Sequence, residues 1–188
     1  MNNKQLGKTE LRLEKPTKQN FHLLKRNNII IVLDSLKVAH NIGTIFRMSD
    51  AVLAKKLYIC GNSITPPNYK IKKSSIGSDK WVDWEYSEKI EDVLQKLKEQ
   101  NAIIVSVEVS ENSIEHTQYH NYLEAHWETD KDIVIVMGRE FDGVSQEALD
   151  LSDIAVHLPI YGMCNSLNVS TAASVLIFQT LDFLNLKK

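Results

Sequence analysis

Asn41 and Arg47 lie six positions apart in "HNIGTIFRMSD", a stretch whose Ile42, Ile45, Phe46 and Ser49 fall at helical spacing. A long cation among inward-turned neighbours wants an anion. Two are open to it: an internal carboxylate such as Glu140, or the phosphate of a substrate. Further on, "GREFDG" sets Gly138 and Gly143 around Arg139, Glu140 and Asp142. A glycine closing a strand is ordinarily a turn residue, but the acidic residue beside it asks for another reason. A third cluster, "NSLNVSTAAS", Asn165 to Ser174, places three serines, two asparagines and a threonine just ahead of the almost wholly apolar "VLIFQTLDFL". That many small hydrogen-bonding side chains at the mouth of an apolar helix read as the wall of a site.

Several familiar chemistries lack their residues. Neither G-x-G-x-x-G nor G-x-x-x-x-G-K-[ST] occurs, which argues against a dinucleotide-binding turn or a P-loop. Ser166 lacks the G-x-S-x-G elbow of a hydrolase nucleophile, and His157 sits inside an apolar strand pattern. His116, His120 and His126 show no H-E-x-x-H spacing and are surrounded by glutamine, tyrosine and asparagine, so they read as a solvated face rather than a metal centre.

The elements that must position these clusters alternate in type. "NIIIVLD" from Asn28 is a β-branched run of buried-strand character, and the helical "NIGTIFRMSDAVLA" follows it. "KKLYICG", "WVDWEY", "AIIVSVEV", "DIVIVMG" and "IAVHLPI" read as further strands. "SEKIEDVLQKLKEQ", with Ile90, Val93, Leu94 and Leu97 inside, reads as an amphipathic helix, as does "SQEALDL". "SLNVSTAASVLIFQTLDFLNL" closes the chain as a long helix, and "NSITPPNYK" interrupts it as a loop. Strands alternating with helices predict an α/β fold with a Rossmann-like parallel sheet and helices on both faces. In open sheets of that kind ligands bind beyond the carboxyl ends of the strands, where the loops carrying the three polar clusters would converge.

The 188 residues fit one domain, and the composition, 43% hydrophobic and 24% charged, is that of a globular protein. No apolar run approaches the roughly 20 residues needed to span a bilayer, so no membrane is expected. Cys60 and Cys164 form no C-x-x-C pair, and the N-terminus has no secretory apolar core, which predicts a cytoplasmic setting. The net charge of −2 is unevenly divided. Residues 1–28 carry Lys4, Lys8, Arg12, Lys15, Lys18, Lys25 and Arg26 against Glu10 and Glu14, a balance of +5 that leaves −7 for the rest. The chain is therefore expected to divide into a basic N-terminal arm, 1–28, and a domain, 29–188. The arm reads either as a phosphate contact or as a solvated leader. "YKIKKSSIGSDK" adds Lys70, Lys72, Lys73 and Lys80 with no carboxylate before Asp79, a second basic stretch suited to phosphate contacts.

These clusters also carry a resemblance. "HNIGTIFRMSDA", "IVMGREFDGVS" and "LPIYGMCNSLNVSTAAS" resemble, in order and spacing, the three motifs of SpoU-type RNA 2′-O-ribose methyltransferases. The resemblance spans about residues 29 to 185, and one mild departure is Ile160, where a methionine is common. It implies the SPOUT fold, in which the C-terminal segment of the parallel sheet threads a trefoil knot. It implies S-adenosylmethionine as cofactor, no metal, and a homodimer, for which the apolar circumference of the closing helix is a further reason. By the same resemblance Arg47, Asn41, Glu140, Ser166 and Asn168 are the catalytic positions, and Met137, Gly138, Gly143, Leu158, Ile160, Ser166 and Leu167 bind the cofactor. The implied reaction is methyl transfer to a ribose 2′-hydroxyl of structured RNA, tRNA rather than rRNA because no recognition domain beyond the arm is evident. A non-catalytic RNA-binding protein of the same fold is the alternative, and a hydrolase using Ser166 stands behind it.

Overall fold

A computed structural model describes residues 4–7, 9–13, 15–17 and 20–187. Lys8 and Lys18 of the basic arm, with Glu14, lie outside the described residues. A short helix α1 (Glu10–Leu13) precedes the first strand β1 (Asn27–Asp34), which begins two residues inside the expected arm boundary. There follow α2 (Ala39–Ala51), β2 (Ala54–Cys60), α3 (Tyr69–Ser75), β3 (Trp84–Ser87), α4 (Ile90–Glu99), β4 (Ile103–Val107), β5 (Ile114–Glu115), α5 (Tyr119–His126), β6 (Ile133–Met137), α6 (Gln146–Leu151), β7 (Ile154–His157) and α7 (Val169–Leu186).

All seven strands form one parallel sheet in the order β3-β2-β1-β6-β4-β7-β5. Ile29 to Asp34 of β1 and all of β6 are buried on both faces, as β-branched runs in the middle of a parallel sheet must be. Alternate residues feed two cores. On one face Ile29, Ile31, Leu33, Ile133 and Ile135 pack with Ile42, Ile45 and Phe46 of α2 and with Leu176, Ile177 and Phe183 of α7. On the other, Ile30, Val32, Val134 and Val136 meet Val93, Leu94 and Leu97 of α4 and Ala148 of α6. Each such large side chain contributes roughly 1.5 to 3 kcal/mol by leaving water, so both helical layers are held by the same strands.

Besides the short α1 of the arm, two helices stand where no regular element was expected. Only Ile71 and Ser75 of α3 are buried, and its start is fixed by Asn68, whose side chain accepts from the Lys70 and Ile71 amides. α5 buries only Tyr119 and Leu123. Neither offers the apolar repeat from which helices are recognised.

The closing helix α7 is long and apolar enough, by length and composition, to cross a membrane. It is nevertheless a core helix, since Ala173, Leu176, Ile177, Phe183 and Leu184 are buried in the cluster it shares with the sheet and α2. The expectation that one chain could not cover its apolar circumference is corrected on this point. Ala172, Val175 and Leu181 are also packed against the core, and of the exposed residues Thr171, Phe178, Asp182, Asn185 and Leu186 only Phe178 and Leu186 are apolar.

Candidate active site

Parallel pairing brings the carboxyl ends of β1, β6, β4 and β7 side by side, and with them the loops that carry the three polar clusters. Asn41 joins all three. It is 2% exposed on the first turn of α2, donates through Nδ2 to Glu140 Oε1 at 3.1 Å, and accepts from Asn168 Nδ2 at 3.0 Å. Both ends of a buried carboxamide are thus satisfied, and each bond crosses to a different loop.

Glu140 does a second task. Its oxygens accept the backbone N–H of Lys37 at 3.3 Å and of Val38 at 3.0 Å, just before α2, where an anion meets the positive end of the helix dipole. Of the two anions open to Arg47, Glu140 is thereby engaged elsewhere. Arg47 is exposed, and it forms no hydrogen bond or ion pair with any described residue. The reason is helical geometry: a residue six positions beyond Asn41 lies ~9 Å further along the axis and about 120° round it. With its head in water, the guanidinium needs no internal anion.

Asn168 caps α7. Its Oδ1 accepts from the Ser170 amide at 2.8 Å and from Ser170 Oγ at 2.7 Å, while Nδ2 reaches Asn41. Ser174 Oγ turns to Met48 of α2. The hydroxyls of Ser170 and Ser174 thus serve the helix start and its contact with α2, and Asn165 to Asn168 remain as cavity wall.

That wall belongs to a cavity of ≈ 360 Å³ over the ends of β4, β6 and β7. Met137, Gly138, Gly143, Leu158, Ile160, Ser166 and Leu167, the expected cofactor positions, all line it, as do Glu140 and Asn168. Arg47 and Asn41 do not. The loop after β6 doubles back on itself through an antiparallel bridge between Arg139 and Gly143. A Cβ on Gly138 would stand 2.6 Å from the Gly143 carbonyl oxygen, and Gly143 has φ +69°, so both glycines are required by this turn. Gly43 has a comparable role in α2, where a Cβ would meet the Ile71 carbonyl of α3 at 2.6 Å.

Three further groups shape the site and were not expected from the sequence. Glu108, at the end of β4, accepts from the Val144 amide at 2.9 Å. Asp34, at the end of β1, accepts from the Ser145 amide at 2.8 Å. His157 lines the cavity with Nδ1 3.0 Å from Ser113 Oγ, an arrangement that gives Ser166 no base. Only the position of Glu108 and Asp34 at the ends of apolar strands could have drawn attention to them. Cys60 offers no nucleophile either, because burial, followed by the charges of Asp34 and Glu91, pushes its thiol up to about 12.

The three histidines have separate partners: His116 meets Gln179, His120 meets Glu124 and Phe183, and His126 stacks on Tyr122. No group of three or more metal-ligating side chains occurs among the described residues. Lys70, Lys72 and Lys73 are exposed on α3, and Lys80 is exposed in the turn that follows. The end of the arm reaches the same region, with Phe21 edge-on to Trp81 at 5.9 Å and Arg26 over the Phe21 ring at 4.4 Å.

Known proteins resemble this chain in sequence and in fold. The chain is 33% identical over 173 residues, 89% of its length, to a tRNA (guanosine(18)-2′-O)-methyltransferase of Aquifex aeolicus, of which the match covers 76%. It is 28% identical to a Thermus thermophilus protein of that same name, over 82% of this chain and 75% of the relative. The crystal structure of an A. aeolicus TrmH/SpoU tRNA modifying enzyme superposes with a TM-score of 0.75 at 29% identity, covering 89% of this chain and 81% of the other. An AdoMet-bound rRNA methyltransferase of Sinorhizobium meliloti, 21% identical, shares the fold with a TM-score of 0.74 over 85% and 58% of the two chains. The model of the SpoU rRNA Methylase family matches residues 28–178, and the chain belongs to that family.

Proposed function

We propose that the protein transfers the methyl group of S-adenosylmethionine to a ribose 2′-hydroxyl of structured RNA, with tRNA favoured over rRNA. The observation that carries this reading is the Glu140–Asn41–Asn168 chain, which ties the three motif loops together beside a cavity lined by all seven expected cofactor positions. The residues fit the cofactor: the wall combines backbone of a doubled-back glycine turn with apolar Met137, Leu158, Ile160 and Leu167, the mixture a nucleoside with an aliphatic arm requires. Relatives named as tRNA 2′-O-methyltransferases support the substrate class.

When bound, the cofactor supplies an electrophilic methyl whose carbon–sulfur bond breaks as the ribose oxygen–carbon bond forms, leaving a neutral thioether. The protein must then place the ribose oxygen, and the hydroxyl proton leaves to solvent as the oxygen–carbon bond forms. Arg47, exposed and unpaired among the described residues, holds an RNA phosphate bidentately and stabilises charge developing on the ribose oxygen. Asn41, Glu140, Ser166 and Asn168 fix the loops between phosphate and cofactor. Lys70, Lys72, Lys73 and Lys80, with the basic arm of residues 1–28, form the RNA track beside the domain of residues 29–188, and no metal takes part.

The fold implied by the family resemblance extends here to a C-terminal trefoil knot. A second copy completes the molecule as a homodimer: Phe178 on α7 is 45% exposed, and Phe141, Tyr161 and Met163 around the cavity are 91% exposed or more. Two free cysteines support the cytoplasm as its setting. Incubation of the protein with methyl-labelled cofactor and bulk tRNA should place label in the RNA. RNA that binds but acquires no label would favour a non-catalytic binding protein of the same fold.

A further inference from the structure

Two carboxylates line the cavity, and they are differently engaged. Glu140 accepts three hydrogen bonds, from the Lys37 and Val38 amides and from Asn41, which leaves it little further capacity. Glu108 accepts one bond on each oxygen, from the Val109 amide at 2.9 Å on Oε1 and from the Val144 amide at 2.9 Å on Oε2. A carboxylate oxygen accepts about two, so each retains an acceptor position.

The group is also held still. The Glu108 backbone continues the β4 to β7 pairing through its amide to Val156 O at 3.1 Å, and a Cβ on Gly143 would come within 2.8 Å of the Glu108 carboxyl carbon. The cavity's cation is turned elsewhere, since Arg139 reaches the Gly143 carbonyl at 3.4 Å and Asp142 at 3.9 Å. A fixed anion with open acceptor positions, at the carboxyl end of a parallel strand, suits the vicinal hydroxyl pair of a nucleoside ribose, which a strand-end carboxylate accepts in other open α/β sheets.

Building on the reading of this cavity as the S-adenosylmethionine site, we infer that Glu108 is a specificity-determining residue that accepts the 2′- and 3′-hydroxyls of the cofactor's ribose, in addition to holding the Gly143–Val144 turn. The role sets a nucleoside requirement that none of the three motifs carries.

Calorimetric titration of the full chain with S-adenosylhomocysteine and with its 2′-deoxy and 3′-deoxy forms tests this without any turnover. Wild-type protein should bind the parent and lose about tenfold or more in affinity for each deoxy form, the scale of one hydrogen bond to a charged group. In Glu108→Ala the parent should weaken while the penalty for removing a hydroxyl falls below about threefold, because the acceptor has gone. Glu108→Gln, which keeps the size of the side chain, should also lower the penalty and serves if the alanine variant does not fold. The penalty is a ratio within one protein, so a purely structural role for Glu108 would weaken all three ligands alike and leave it unchanged. A wild-type protein that binds the three equally, or a variant that retains the wild-type penalties, would overturn the inference. Failure of wild-type protein to bind the parent would instead remove the cofactor assignment on which it rests.

Discussion

Two accounts of the chemistry part company at Arg47. A guanidinium with a reference pKa of about 12.5 or higher would cost roughly 7 kcal/mol to deprotonate at pH 7, a heavy demand on a residue acting as base. Its exposed position on α2, away from Glu140, supports the other account, in which the planar fork grips phosphate. Both accounts expect Arg47→Ala to lose most activity. Arg47→Lys separates them, because lysine has a lower reference pKa, near 10.4, but no fork. Single-turnover rates should place Arg47→Lys close to Arg47→Ala, whereas a near-wild-type rate with an altered pH profile would favour proton abstraction. At this scale the grouping of the motifs was legible: the seven positions expected to bind a cofactor line one cavity, and Asn41, Glu140 and Asn168 meet each other. Glu108 was not, because its importance comes from β4 lying beside β6, a pairing between distant segments that no local pattern records. Of the two anions open to Arg47, helical azimuth alone disfavours Glu140, because a residue six positions beyond Asn41 lies about 120° round the axis from it.

Among the elements, the loop after β6 is held from three sides, by Glu140 on α2, Asp34 on the Ser145 amide and Glu108 on the Val144 amide. Glu140 therefore does structural work that extends beyond the cavity. Glu140→Ala should lower stability by about 1 to 2 kcal/mol through loss of the acceptor at the start of α2, read as a fall in melting temperature. It should also cut methyl transfer by more than that loss of folded protein explains, since Asn41 loses its partner across the loops. Full activity in a destabilised variant would confine Glu140 to capping. The strands and the long helices were legible because burial on one or both faces writes a period into the sequence. α3 and α5 escaped because each buries two residues, too few to write one.

For the whole molecule, the closing helix sets the question of assembly. One chain buries most of its apolar surface, so a dimer is argued from what remains, Phe178 at 45% exposure on the outward stripe and Leu186 at 73% at the helix end. Light scattering should show a dimer for the wild type and a monomer or insoluble protein for Phe178→Asp, and a soluble dimeric variant would remove this stripe from the interface. The α/β class, the parallel sheet and the convergence of loops at the carboxyl ends of the strands follow from alternation of element types. The strand order, with β1 and β6 at the centre, does not, because parallel neighbours are chosen by packing across the whole chain. The proposed reaction changes one atom of the RNA. Methylation of a ribose 2′-hydroxyl removes the nucleophile through which alkali cleaves the adjoining phosphodiester, so the most direct measurement is alkaline hydrolysis of tRNA labelled by the protein from methyl-labelled cofactor. The account predicts label in alkali-stable dinucleotides that yield 2′-O-methylnucleosides on enzymatic digestion. Label released in mononucleotides carrying a methylated base would contradict it.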